Sequence, residues 1–74
     1  MPEIIIGGIY RHYKNKDYKV IGLAKHSETL EDMVVYEALY DNKESKLWVR
    51  PKELFVDSVE VNGQTVPHFK YLGQ

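Results

Sequence analysis

No stretch of this chain keeps a helical period for three turns, whereas short β-branched and aromatic runs recur between turn signals. That pattern points to one small all-β domain spanning residues 1–74. A prior of ~150 residues per domain leaves no room for a second. Ile9 to Lys14 follows Gly7-Gly8 and forms a hairpin with Tyr18 to Ala24 around the Asn15-Lys16-Asp17 turn. His26 to Asp32 is polar and suits a single helical turn or an ordered loop, with Thr29-x-x-Asp32 fitting a capping box. Met33 to Tyr40 and Lys46 to Arg50 read as strands on either side of a turn at Asp41 to Ser45. Pro51 has no N–H to donate, so it stops the ladder and starts a single 3₁₀ or α turn through Leu54. Val56 to Val61 is a further strand, and Asn62-Gly63 is the strongest hairpin signal, because a type I′ turn needs positive φ at both central residues. Gln64 to Val66 pairs back, and Pro67 confines that strand to an edge. Five or six strands in so short a chain predict a sheet curled on itself into a small barrel, with closure removing the exposed edges.

The chain has no cysteine, which excludes a disulfide scaffold, a thiol nucleophile and any cysteine-based metal site. Its core must therefore come from packing, and two Phe, six Tyr and one Trp can supply it. The longest apolar run, Ile4 to Ile6, is too short to span a bilayer or to form a signal-peptide core. A cytoplasmic location, no membrane association and a monomeric state are the expectations. The net charge of −1 argues against a strongly nucleic-acid-like composition, yet the charge is polarised. Residues 1–26 carry +3 and residues 27–74 carry −4. The simplest reading of the basic half is a solvated hairpin whose lysines guard an edge.

Several ordered blocks resemble a known family. Gly8-Ile9-Tyr10-Arg11-His12-Tyr13-Lys14, Ala24-Lys25-His26-Ser27-Glu28-Thr29, Val34-Val35-Tyr36 and Leu47-Trp48-Val49-Arg50-Pro51 are similar to small bacterial proteins catalogued as domain of unknown function 1653. The likeness runs from about Gly8 to Phe55, with a looser tail through Pro67-His68-Phe69. It implies an SH3-like, partly open β-barrel and implies no reaction. Such barrels host peptide-binding, nucleic-acid-binding and architectural roles alike.

The residues themselves offer little catalytic chemistry. His12, His26 and His68 lack the short, regular spacing of zinc ligands, so only the fold could gather them, and no metal or other cofactor is expected. His26-Ser27-Glu28 sets a base, a hydroxyl and a carboxylate in a row, but adjacent residues rarely face one another. A small hydrolase using His26 and Ser27 would require the two side chains to converge in a cleft. No P-loop, dinucleotide-binding glycine pattern or H-E-x-x-H occurs. The chain therefore reads as a non-enzymatic binding or adaptor module.

Alternation leaves two faces open for each of two strands. On Leu47-Trp48-Val49-Arg50, either the aliphatic pair lines the core and Trp48 and Arg50 share the surface, or Trp48 anchors the core and Arg50 snorkels past it. On the first strand Tyr10 and His12 share one face, while Ile9, Arg11 and Tyr13 share the other. Ile9 favours its own face as the inner one, with Arg11 held by Glu28 or Glu37. Tyr36, in phase with Val34 and Ala38, belongs to the core. The candidate ligand-binding surface is Tyr10, Arg11, His12, His26, Trp48 and Arg50. A peptide or protein partner suits the overall charge; single-stranded nucleic acid, stacking on aromatics beside the basic hairpin, is the alternative.

Overall fold

In the computed structural model, which describes residues 4–74, strand alternation turns one row of large side chains onto a common face. Among the described residues seven strands form: β1 (Ile9–His12), β2 (Lys16–Lys25), β3 (Asp32–Ala38), β4 (Leu47–Pro51), β5 (Ser58–Val61), β6 (Gln64–Pro67) and β7 (Phe69–Gly73). One helical turn, α1 (Lys52–Phe55), follows β4, with Pro51 at its N-cap. An antiparallel sheet runs in the order β4-β3-β2-β1-β7, and β5 and β6 form a separate hairpin. Asn62 and Gly63 take φ of 53° and 79°, as the turn between β5 and β6 requires. His26 to Asp32 contains no helix. The His26 Nδ1 accepts the N–H groups of Glu28 and Thr29, Thr29 Oγ1 accepts that of Glu31, and Asp32 pairs with Lys25 instead of capping.

The inner face carries Tyr10, Val20, Val34, Tyr36 and Phe69, sealed by Phe55 from α1. Ala38 is buried as well. Phe55 stacks on Phe69 at a ring distance of 4.2 Å and meets Tyr10 and Tyr36 at 5.3 and 5.5 Å. The same aromatic network measures how far the sheet curls. Strands β3 and β7 stand three steps apart, about 14 Å in a flat sheet, yet Tyr36 and Phe69 have ring centroids 5.6 Å apart. Strands β4 and β7 stand four steps apart, about 19 Å when flat, yet the Arg50 guanidinium lies 5.5 Å from the Phe69 centroid. A bulge at Val20/Gly22 helps, since the extra residue bends β2 at its middle.

The all-β expectation holds, with seven strands in two sheets among the described residues, and the sheet does not close into a barrel. The ladder stops at β4 and β7, and side chains, not backbone hydrogen bonds, bridge the two edges. The segment between those edges is spent on α1, whose Phe55 seals the core, and on the separate β5–β6 hairpin, and does not zip the gap. Strand β7 lies beyond the last strand expected from the sequence, because Pro67 reads as a terminator and no turn signal follows it.

Gly8 is buried where the chain enters β1, and a Cβ there would lie 2.9 Å from both the Ile5 carbonyl oxygen and Tyr71 Cε1. Gly8→Ala is expected to lower stability because one contact is backbone. Phe55→Ala should cost about 3–5 kcal/mol, close to the whole stability of a domain this small. Phe55→Leu should remain folded with a lower urea midpoint; unchanged midpoints would remove Phe55 from the centre of the core.

Candidate functional site

Strand register decides which side chains meet at the open edge. Tyr36 pairs with Trp48 and Val34 with Arg50, so Trp48 and Arg50 share the inner face with two buried residues. Leu47 and Val49 are more than half exposed on the outer face. Of the two sequence readings of this strand, the structure takes the one with Trp48 as core anchor. Its Nε1–H donates to the Ser45 carbonyl at 3.0 Å while its ring packs against the buried cluster.

The first strand also faces the other way from expectation. Tyr10 is buried and its hydroxyl accepts the Ile5 N–H at 3.0 Å, whereas Arg11 is exposed. Arg11 stands opposite Asp17 in the β1–β2 register and donates to its carboxylate at 2.8 and 3.3 Å. That pairing raises the guanidinium pKa and holds the Asp17 carboxyl below its ordinary range. Neither Glu28 nor Glu37 holds Arg11; Glu37 pairs with Lys46 at 3.5 Å. A cross-strand neighbour won over the more distant carboxylates because the tight turn delivers Asp17 directly.

His68, between β6 and β7, lies at the centre of a polar cluster. Its backbone N–H donates to the Asp57 carbonyl and its carbonyl accepts the Tyr13 N–H, each at 3.0 Å. Its Nδ1 lies 2.9 Å from Asp57 Oδ1 and its Nε2 lies 3.4 Å from Arg50 Nη1. The arrangement that satisfies both contacts has Nδ1–H donating to Asp57 while Nε2 accepts from Arg50. The ring stacks on Phe69 at 5.1 Å and meets His12 edge-on at 4.9 Å. His12 is half-buried, and its Nδ1 accepts the Lys14 N–H at 3.1 Å. Burial first, then the nearby His68, Arg50 and Lys14, push the His12 pKa down from 6.5 to about 4. Beside them Tyr18 and Tyr40 share a 2.6 Å hydroxyl contact, and burial with that hydrogen bond pushes the Tyr18 pKa well up.

Of the residues expected at a site, His12, Trp48 and Arg50 come to the inner face at the open edge. Tyr10 lies within the core, Arg11 on the outer face, and His26 in the exposed Ser27–Leu30 turn region, its Nδ1 committed to backbone N–H groups. His26 and Ser27 do not converge on a cleft. The Asp57–His68 pair is no better placed as a general base, because Arg50 occupies the free ring nitrogen. Among the described residues no three His, Cys, Asp or Glu side chains are placed to share a metal ion. Nor, among them, is any helix long and apolar enough to cross a membrane.

A groove of about 480 Å3 lies beside the cluster, with Arg11, His12, Tyr13, Val61, Val66 and Lys70 among its walls. Its size falls in the range of small-molecule sites, roughly 300–1,000 Å3.

The family model described as "Protein of unknown function (DUF1653)" matches residues 8–71. The chain belongs to this family. A crystal structure of a DUF1653 protein from Bordetella bronchiseptica is 35% identical, with a TM-score of 0.86 over 93% of this chain and 88% of that one. No curated protein matches. Membership in DUF1653 accounts for the fold and leaves the role open.

The half-buried imidazole of His12 makes stability depend on pH. The folded chain keeps it neutral down to about pH 4, while the unfolded chain protonates it near 6.5. Between those values the unfolded state binds more protons, so stability rises with pH and is lost as pH falls through the window. The urea midpoint should drop between pH 6.5 and pH 4, and His12→Gln should flatten that drop. An equal slope in both proteins would contradict a His12 held neutral by the fold.

Proposed function

We propose that this DUF1653 protein is a non-enzymatic binding module of SH3-like, partly open barrel form, acting in the cytoplasm on a peptide or protein partner. The observation that carries this reading is the groove lined by Arg11, His12, Tyr13 and Lys70 together with the apolar Val61, Val66 and Leu72. A lining that mixes aromatic, basic and apolar side chains suits an extended peptide, whose apolar side chains meet the valines while its polar groups meet the cations. The single helical turn and the strongly curled sheet support the SH3-like reading, and the net charge of −1 favours a protein partner over a polyanion. Tyr10 contributes from beneath the surface, as support for β1, and His26 lies apart from the groove.

A second reading has its own observation. On the first hairpin Lys14 lies over the Tyr13 ring at 5.8 Å and Lys16 over the Tyr40 ring at 4.9 Å. Interleaved cations and aromatic faces are the elements of a single-stranded nucleic-acid surface.

An amide NMR titration separates the two, using a pool of short mixed-sequence peptides and a short mixed-sequence single-stranded RNA at two salt concentrations. The peptide reading expects shifts at Arg11–Tyr13, Val61, Val66 and Lys70 with the peptides. Tyr13→Ala and Lys70→Glu, both at exposed positions, should weaken a bound peptide about tenfold or more without unfolding the protein. Shifts with RNA alone, centred on Lys14 to Lys19 and fading with salt, would replace it with the nucleic-acid reading.

A further inference from the structure

We propose that Arg50 is the receptor for an oxyanion, a carboxylate or phosphate group carried by a ligand, at the open edge between β4 and β7. This site adjoins the groove, with His12 between the two, and is argued independently of it.

The argument begins with who pairs with whom. Arg11, Lys25 and Lys46 each have a carboxylate partner, whereas among the described residues no Asp or Glu forms an ion pair with Arg50. The carboxylate nearest the cluster, that of Asp57, is taken by His68 Nδ1. A guanidinium carries five N–H donors, and the one protein hydrogen bond found for Arg50 goes from Nη1 to His68 Nε2, a long 3.4 Å contact. Among the described residues no buried side-chain nitrogen or oxygen is left without a partner, so the other Arg50 donors reach solvent.

The side chain is nevertheless held in place. Its guanidinium lies over the Phe69 ring, its Nη1 points at a ring nitrogen fixed in turn by Asp57, and it shares the strand face of Trp48. A half-buried arginine, oriented from two sides and with open donors, matches the planar two-point recognition of a carboxylate or phosphate. Beside burial, the Arg50 and Lys14 cations contribute to holding the neighbouring His12 imidazole neutral. The groups facing Arg50 are His68, His12 and Tyr18, with Asp57 behind His68 and Lys14 beyond His12.

The test titrates ¹⁵N-labelled protein with inorganic phosphate and, separately, with acetate, each against sodium chloride at matched ionic strength. The Arg50 Nε–H, the His68 and His12 rings and the Trp48 indole N–H are followed. The proposal expects saturable shifts at these groups with at least one of the two anions and not with chloride. It also expects the His12 ring to titrate at higher pH when the anion is bound, because the anion offsets the Arg50 charge. Response to phosphate alone assigns a phosphate-bearing ligand; response to acetate assigns a carboxylate. Arg50→Gln should weaken the response at least tenfold, and Arg50→Lys, which keeps the charge but loses the fork, should weaken it by an intermediate factor. No saturable shift with either anion in the wild-type protein overturns the proposal, and so does an Arg50→Gln variant, folded by its amide spectrum, that responds as the wild type does. A peptide that binds the groove while neither anion shifts Arg50 would sink this site and leave the module reading intact.

Discussion

Phe69 is the side chain on which both edges of the sheet depend. It stacks face to face on Phe55, meets Tyr36 and Tyr18 edge-on, carries the His68 ring on one side and receives the Arg50 guanidinium. Without those contacts nothing in the hydrogen-bond ladder would bring β4 toward β7, because the ladder ends at each of them. A five-stranded sheet with one apolar face must bury that face somehow. Here it wraps around one phenyl ring, and a single helical turn seals the opening with another.

Bridging two edges by side chains has a chemical consequence that backbone pairing would not have. A closed ladder consumes its polar groups within itself, whereas a side-chain bridge exposes some of what it uses. The bridge consists of an arginine, two histidines and an aspartate laid on aromatic rings. The order Asp57–His68–Arg50 resembles a catalytic relay only superficially, since its far end is a cation that donates and not a hydroxyl that could be deprotonated.

Much of this was legible in the residues, and some of it was legible without being read. The β1–β2 hairpin, the strand around Tyr36, the helical turn after Pro51 and the Asn62-Gly63 turn all follow from local rules. A two-residue turn also fixes the register of its hairpin. Val61 faces Gln64 and Ser58 faces Pro67, and one further step places Asp57 beside His68. The key contact of the cluster was therefore implied by the turn. The inner faces of β1 and β4 were not implied, because Ile9 with Tyr13 and Leu47 with Val49 are as apolar as the rows that won. Pairing with Val34 and Tyr36 decided β4, and pairing of Tyr10 with Tyr18 and Tyr71 decided β1. That Phe69 would reach across four strands is a property of the curled sheet, which no local pattern encodes.

The central claim is that β4 and β7 meet through side chains across a gap their backbones do not close. Nuclear Overhauser contacts between the Arg50 side-chain protons and the Phe69 ring test it most directly. The account predicts such contacts, together with Arg50 methylene resonances moved upfield by the ring beneath them. Random-coil Arg50 shifts and no contact to Phe69 would contradict it, and would mean that the sheet stands open.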